Sequence, residues 1–302
     1  MSIRPVKRLV HAKPAIEGAG VHLNRVFGFG DTAEFDPFLL LDDFRNDRPQ
    51  DYLAGFPWHP HRGIETITYV LAGNVEHADS LGNTGDLGAG DVQWMTAGRG
   101  IIHQEMPRGD AAGRMHGFQL WANLPASLKM TTPRYQDVTA KDIPEVKDDD
   151  GTAVRVVCGE FWGARGPVDG IAAEPQYLDV FVPPLTRRTL AVETTRHAFA
   201  YVFAGSARFA NSSSPRPVLT ETPGIDAPPA ASHPVENRSL VLFDRGDEVT
   251  VDAGEMGVRF LLVSGKPLGE PVAWAGPIVM NTRAELSRAF AELEAGTFLG
   301  VR

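Results

Sequence analysis

The sequence has a single cysteine among its 302 residues, Cys158, so no disulfide can form within the chain. A chain without internal disulfides is typical of a reducing compartment, and we expect a cytoplasmic location. Cys158 ends the apolar run of residues 154–158. This position predicts a buried, structural thiol rather than a reactive one.

The sequence also lacks an excess of basic charge and any long apolar run. Its 38 acidic residues outnumber 29 basic ones, which gives a net charge of −9. General affinity for nucleic acid requires a basic surface, so we expect no direct nucleic-acid partner. No run approaches the roughly 18 apolar residues of a membrane span, and the first residues do not resemble an export signal, so we expect no membrane association.

Long helical periods are nearly absent, while 31 glycines and 23 prolines are spread throughout the chain. Short apolar or alternating runs recur between turn signals, at residues 64–72, 91–96, 116–122, 154–158, 177–182, 198–204, 239–243 and 257–264. This pattern predicts an all-β sandwich or barrel. One short helix is expected near the C-terminus, at residues 283–295, because Thr282 and Glu285 form a capping-box pattern and Gly296 can end the helix.

The two halves of the sequence repeat each other. Residues 69–73 (YVLAG) recur 132 residues later as 201–205 (YVFAG), whereas the Gly-Asp pair at 90–91 recurs only 156 residues later, at 246–247. The longer second offset indicates an insertion, and the Pro-, Ser- and Ala-rich stretch at about 211–236 is typical of a long exposed loop. We therefore predict an N-terminal barrel over residues 1–136 and a C-terminal barrel over residues 150–302, which carries the loop and the helix.

Five of the nine histidines lie within residues 59–116. His59 and His61 are two residues apart, and positions i and i+2 of an extended strand point to the same face. His103 and Glu105 repeat this spacing after a glycine-rich turn. One such pair alone is more often structural, but two pairs on neighbouring strands would surround one point with three imidazoles and one carboxylate. Such a set suits Fe(II), Mn(II), Ni(II), Cu(II) or Zn(II).

The segments that carry these residues resemble the two cupin motifs, and in detail they are similar to the pirin family. The resemblance rests on HPHRG-x-ET at residues 59–66 and on GD-x-QWMTAGRG-x-x-H-x-EMP at residues 90–107. It continues at residues 36–40 and 276–282, so it spans almost the whole chain and is weakest at 211–236. The resemblance implies a bicupin, in which two cupin barrels of the double-stranded β-helix or jelly-roll type are stacked in one chain.

The resemblance also implies the ligand set. The pirin pattern matches one iron-class metal to His59, His61, His103 and Glu105, with Fe(II) as the expected metal and Mn, Ni, Cu or Zn as alternatives. General cupins take their glutamate from the first motif, which would be Glu65, and we expect this residue to support the strand or a ligand instead. The repeat offsets place Ala191, Glu193, Arg259 and Leu261 at the four corresponding positions of the second barrel, which is therefore expected to be metal-free.

Other residues of the region are candidates for the wall of a cavity. His116 and Gln119 precede an apolar strand that ends at Trp121 and could line it, and Phe56, Trp58 and Met106 could form an apolar rim. His77 is expected at the surface or behind the ligands, and Trp94 in a core.

Two functions follow from the resemblance. The first is a quercetin 2,3-dioxygenase-type oxidoreductase, which cleaves flavonols with O2 while the carboxylate ligand, Glu105, takes a proton from the substrate. The second is a metal- or redox-sensing regulatory protein that acts through a protein partner. Both groups share the motifs, which do not choose between them. We favour the dioxygenase, with a small aromatic, flavonol-like substrate and O2.

Overall fold

The computed structural model describes residues 2–169, 172–210 and 234–300, and it confirms an all-β fold. Its α-helices are α1 (Thr32–Phe35) and α2 (Arg283–Glu294), and short 3-10 turns occur at Pro49–Asp51, Ala126–Leu128 and Ala140–Asp142. The predicted capping box is present at the start of α2, where the Thr282 side chain accepts from the Glu285 amide. Neither α-helix within the described ranges has the length and apolar character needed to cross a bilayer.

Strands make up most of the chain. In the first half they are β1 (Val6–His11), β2 (Lys13–Glu17), β3 (Val21–Phe27), β4 (Phe38–Asp43), β5 (Phe56–His61), β6 (Ile64–Ala72), β7 (Asn74–Asp79), β8 (Thr84–Leu87), β9 (Val92–Thr96), β10 (Ile101–Arg108), β11 (His116–Asn123) and β12 (Arg134–Val138). In the second half they are β13 (Glu145–Lys147), β14 (Ala153–Cys158), β15 (Glu160–Phe161), β16 (Ala164–Arg165), β17 (Gln176–Val182), β18 (Arg187–Ala191), β19 (His197–Phe209), β20 (Val235–Glu236), β21 (Ser239–Phe243), β22 (Glu248–Gly265), β23 (Ala273–Ala275) and β24 (Ile278–Met280).

Two sheets build the first barrel. The larger sheet has the order β12-β9-β6-β11-β4-β3-β2, and the smaller has the order β5-β10-β7-β8. Side chains alternate between the two faces of each strand. On β6, Thr68 lines the barrel cavity, whereas Ile67 and Tyr69 enter a core that residues of both barrels share. The large sheet therefore has one face toward the candidate site and one toward the second barrel.

A nine-stranded sheet forms the second barrel, with the central order β1-β21-β19-β22-β17-β14-β13. The repeat seen in the sequence has a counterpart in the backbone. Gly73 at the end of the first copy has φ of 77°, and Gly205 in the second copy has φ of 68°. Both are left-handed conformations that favour glycine. Tyr69 and Tyr201, which precede them in the two copies, are both fully buried.

These two tyrosines connect the barrels by matching hydrogen bonds. Tyr69 in the first barrel donates to Asp179 in the second (2.6 Å), and Arg259 donates to the same carboxylate at 2.8 and 2.6 Å. Tyr201 in the second barrel donates to Asp43 in the first (2.8 Å). Both aspartates are buried, so each barrel supplies a buried carboxylate for a tyrosine of the other.

Both ends of the chain cross to the opposite barrel. Strand β1 at the N-terminus pairs with β21 of the second barrel, with Leu9 opposite Val241. The C-terminal hairpin β23–β24 returns to the first barrel, where Val279 packs in a core with Ile64. The buried Lys129 ammonium joins this contact by donating to the backbone carbonyls of Gly63 and Val279, at 2.9 and 3.1 Å.

These crossings bear on the expected division of the chain. The strand β1 belongs to residues 1–136 but completes the sheet of the second barrel, and β13 (Glu145–Lys147) joins that sheet before residue 150. The boundary at residues 136–150 therefore stays a prediction. Of the expected loop at 211–236, residues 211–233 lie outside the described residues, while Val235–Glu236 pairs with Ser206 and Ala207 as strand β20.

Candidate metal centre

Three of the predicted ligands meet inside the first barrel. His59 and His61 lie on β5, and β10 brings His103 directly opposite His59. One ligand nitrogen from each of the three rings lies within 4.8 Å of the other two. The ring centroids are 4.4 to 5.0 Å apart. Among the described residues, this is the group of histidine, cysteine and acidic side chains that can hold a metal ion.

The hydrogen bonds of His59 and His61 direct their lone pairs toward each other. His59 Nδ1 lies 2.8 Å from the Pro57 carbonyl oxygen, and His61 Nδ1 lies 3.1 Å from that of Pro277. A carbonyl can only accept, so each Nδ1 carries the proton and each Nε2 has a free lone pair. The two Nε2 atoms are 3.1 Å apart. Two lone pairs at this distance repel each other, and a cation that accepts both would remove the repulsion.

Burial keeps these rings neutral, which is the form that binds metals. Burial lowers the pKa of His59 and, more strongly, the pKa values of His61 and His103, where neighbouring histidines act in the same direction. Neither ring nitrogen of His103 has a hydrogen-bond partner among the residues that the structure describes, although His103 is fully buried. Buried polar atoms are normally satisfied, so a metal ligand role explains His103 better than a packing role does. The residues therefore fit a metal ion.

Glu105 lies beside this cluster but is not a member of the 4.8 Å group. It follows His103 by two residues on β10 and lines the same cavity as His59 and His61. Thr68 Oγ1 lies 2.9 Å from Glu105 Oε1. Burial raises the pKa of Glu105 to about 7. A cation nearby would lower this pKa again, because opposite charge favours the carboxylate.

Glu65 faces away from the cluster. Residues 65 and 68 are three apart on β6, so their side chains point to opposite faces of the sheet, and Thr68 is the one that lines the cavity. Glu65 Oε1 accepts from Thr96 at 2.7 Å on the core side, and burial raises the pKa of Glu65 to about 7. In the second barrel, the counterparts of His103 and Glu105 have other contacts: Arg259 pairs with Asp179, and Leu261 is buried in the shared core.

The cluster opens into a cavity of about 510 Å³, a size that suits a small organic ligand. Phe56 and Trp58 line it as the sequence suggested, as do Gln119 and Trp121. The remaining wall is largely aliphatic and aromatic, and Trp58 at the rim is 54% exposed. An apolar wall with few polar groups is the usual construction of a small-molecule site.

Other candidate residues lie elsewhere. His116 does not line this cavity; it lies in a different depression, 3.8 Å from Asp43. Met106 packs against Gly55 outside the cavity lining, and Trp94 is fully buried in the shared core. His77 is buried rather than at the surface, and its ring centroid lies 5.3 Å from that of His103. It is therefore a neighbour of a predicted ligand.

Sequence reasoning missed the part of the site that the C-terminal hairpin supplies. Trp274 on β23 lines the cavity and stacks on Phe29 with ring centroids 3.8 Å apart, and Pro277 provides the carbonyl that orients His61. The motif at residues 276–282 was the one available signal. It marked the segment as part of the resemblance but gave no indication of contact with residues more than 200 positions earlier.

Two barrels of the cupin type, one of which contains a cluster of three histidines that can hold a metal ion, define a bicupin with a candidate metal centre. The chain belongs to the pirin family: residues 20–122 match the Pirin family and residues 177–299 match the Pirin C-terminal cupin domain. A pirin-like protein of Caulobacter vibrioides is 44% identical over 99% of this chain and 100% of its own length.

Two further relatives extend the comparison. A pirin-like protein of Solanum lycopersicum is 38% identical over 97% of this chain and 92% of its own length. A crystal structure of quercetin 2,3-dioxygenase from Acinetobacter baumannii superposes with a TM-score of 0.85 and 30% identity, and it covers 99% of this chain and 100% of that one. The family is thus shown by sequence, and the complete two-barrel fold by structure.

Proposed function

We propose that the protein is a metal-dependent dioxygenase of the cytoplasm that cleaves flavonols such as quercetin with O2. The observation that carries this proposal is the cluster of three histidines, two of which, His59 and His61, line the wall of a largely apolar cavity of about 510 Å³. The likeness to a quercetin 2,3-dioxygenase over the whole chain supports it. A flat aromatic substrate suits a wall that contains Phe56, Trp58, Trp121 and Trp274.

His59, His61 and His103 would hold the metal, with Glu105 as a fourth ligand. We expect Fe(II), because three neutral imidazoles and one carboxylate suit a first-row divalent ion. Such an ion supplies Lewis acidity toward an enol oxygen and electron exchange with O2. The carbonyl oxygens of Pro57 and Pro277 keep His59 and His61 in the tautomer that presents Nε2 to the site.

Glu105 is the proposed base. Its carboxylate can accept the proton of the substrate's 3-hydroxyl group, because it lines the cavity. Thr68 holds it in place: Thr68 Oγ1 lies 2.9 Å from Glu105 Oε1 and 2.7 Å from Gln119 Oε1. A hydroxyl has one proton, so with Glu105 ionised Thr68 donates to Glu105 and can accept from a Gln119 amide that presents its nitrogen.

The activity itself is the direct test. Protein reconstituted with Fe(II) should consume O2 and release carbon monoxide with quercetin, whereas luteolin, which lacks the 3-hydroxyl group, should be inert because it cannot present an enolate to the metal. An oxygen electrode measures the consumption of O2, and CO detection measures the product. The absence of O2 uptake with every flavonol, in protein with a full metal content, would contradict the proposal.

The two buried glutamates should respond differently to substitution. We expect Glu105→Gln to lower kcat/KM by about 100-fold or more, because it removes an anionic ligand and a base. Glu65→Gln serves as the matched control, since Glu65 is equally buried but faces the core, and its effect should be below about threefold. Steady-state kinetics of metal-loaded variants measure the two effects. If Glu65→Gln were the more damaging change, the site would follow the general cupin pattern.

A metal- or redox-sensing role is the second candidate, and the surroundings of Arg62 favour it. Arg62 follows the predicted ligand His61, and its guanidinium donates to Glu292 on α2 and to the Phe298 carbonyl, both at 2.7 Å. Arg62 thus connects the C-terminal helix to β5, the strand that carries His59 and His61. A change in the oxidation state of the metal could therefore alter the position of the helix and of a surface that binds a protein partner. A pull-down that compares the Fe(II) and Fe(III) forms tests this role, and identical partners for both forms would count against it.

A further inference from the structure

We propose that a row of polar side chains along one wall of the cavity binds a hydroxyl group of the substrate at the end of the row away from Glu105. The polar row consists of Thr68, Gln119, Asp42 and Arg25, all of which line the cavity. This inference rests on the proposed function and extends it to the substrate class: a planar aromatic compound with a chelating enol at one end and a phenolic hydroxyl at the other.

The strand register fixes the geometry of the polar row. Thr68 on β6 is opposite Gln119 on β11, Gln119 is opposite Asp42 on β4, and Asp42 is opposite Arg25 on β3. The four residues therefore lie in one line perpendicular to the strands. Neighbouring strands are about 4.8 Å apart, so the row extends about 14 Å from the strand of Thr68 to that of Arg25. One end contacts Glu105 through Thr68, and the Arg25 end lies three strands further along the same sheet.

The remote end is an ion pair set into the cavity. Arg25 Nε and Nη2 donate to the two oxygens of Asp42 at 2.9 and 2.8 Å, and Arg25 also pairs with Glu17 at 2.8 Å. The Asp42 side chain is only 6% exposed. Burial raises its pKa to about 6, so the carboxylate is ionised at neutral pH. Each carboxylate oxygen has two lone pairs, so Asp42 can still accept a hydrogen bond from a hydroxyl group of a ligand.

Stability alone gives little reason for such a pair. A buried ion pair can be replaced by apolar residues of similar size with little or no loss of stability. The surrounding wall is built from Leu23, Leu40 and Phe44, so an apolar solution is available at this position. A few well-placed polar groups in an apolar cavity serve instead to orient a ligand, and a carboxylate held by arginine is a strong acceptor for a phenolic O–H.

The test compares two flavonols that share the chelating group. Quercetin carries additional phenolic hydroxyls, and 3-hydroxyflavone has none. Their dissociation constants are measured by fluorescence quenching with metal-loaded protein kept free of O2. We expect the unmodified protein to bind quercetin about tenfold more tightly. The double variant Arg25→Met/Asp42→Leu should lose this preference, with the affinity for 3-hydroxyflavone unchanged within about twofold.

Two further variants complete the design. Arg8→Met/Glu34→Gln removes an exposed ion pair outside the cavity, and it should keep the preference. Arg25→Lys keeps the charge but loses the bidentate contact with Asp42, so it should reduce the preference for quercetin over 3-hydroxyflavone by about threefold. This single variant tests the inference even if the double variant does not fold. An equal preference in the unmodified protein and the Arg25 variants would overturn the inference and leave the proposed function intact. Failure of both flavonols to bind would overturn both proposals.

Discussion

Replacing His59 and His61 together with alanine should empty the metal centre and leave both barrels folded. The two rings contribute Nε2 atoms that face each other at 3.1 Å, so their removal leaves His103 without its partner ligands. Metal content, measured by mass spectrometry of the purified protein, should fall from about one ion per chain to less than about 0.1. A metal bound only to the folded state stabilises it, so a chelator should lower the thermal midpoint of the unmodified protein. The chelator should leave the thermal midpoint of the variant unchanged.

The matched control is His11→Ala/His22→Ala, which removes two exposed histidines outside the cluster, one on β1 and one on β3. This variant should keep its metal and its response to the chelator. Full metal content in the His59→Ala/His61→Ala protein would refute the ligand assignment. A stoichiometry of two ions per chain in the unmodified protein would contradict the expectation that the second barrel holds no metal.

Asp179→Ala should strongly destabilise the protein. The substitution leaves the Tyr69 hydroxyl and the Arg259 guanidinium without the carboxylate that both contact at the interface between the barrels. Asp179 is buried but the Arg259 side chain is 37% exposed, so solvent screens part of the loss, and we expect a cost of about 3 kcal/mol in the free energy of unfolding, at the lower end of the range for a buried pair. Urea denaturation measures this cost. Tyr69→Phe removes two hydrogen bonds, the one that Tyr69 donates to Asp179 and the one that it accepts from Arg155, and should cost about 1–3 kcal/mol.

An exposed ion pair provides the comparison. Glu160 and Arg165 are 3.0 Å apart with side chains 70% and 72% exposed, and Glu160→Ala should change stability by less than about 1 kcal/mol. A loss in Asp179→Ala no greater than the loss in Glu160→Ala would show that the Tyr69–Asp179 contact adds little to the association of the barrels.

The features that sequence predicted best are those encoded by neighbouring residues. The strands Ile64–Ala72 and Ser239–Phe243 have the predicted bounds, and the C-terminal helix ends one residue earlier than expected. The spacing of two residues within His59/His61 and within His103/Glu105 placed both pairs correctly on strands, and the structure brings the three histidines together. Alternation along a strand and capping at a helix end are local properties, so a pattern of a few residues carries them.

The features that could not be predicted depend on contacts distant in sequence. Strand β1 was missed because its residues are partly exposed and show no alternation of apolar and polar side chains. The contact of Pro277 with His61 joins positions 216 residues apart, and no local pattern specifies it. The polar row was equally hidden, because Asp42 lies in an apolar strand and its neighbours on other strands are set by register alone.

The crossing of the two chain ends constrains how such a protein can have evolved. Duplication of one barrel explains the repeat, but each copy now depends on a piece of the other: β1 completes the second sheet, and the C-terminal hairpin supplies Trp274 and Pro277 to the first cavity. A recombination event that separates the halves near residues 136–150 would leave one product without the carbonyl that orients His61 and the other without an edge strand. Selection that preserves the cluster of His59, His61 and His103 would therefore act on both halves together, and it would retain the second barrel as long as the first is in use.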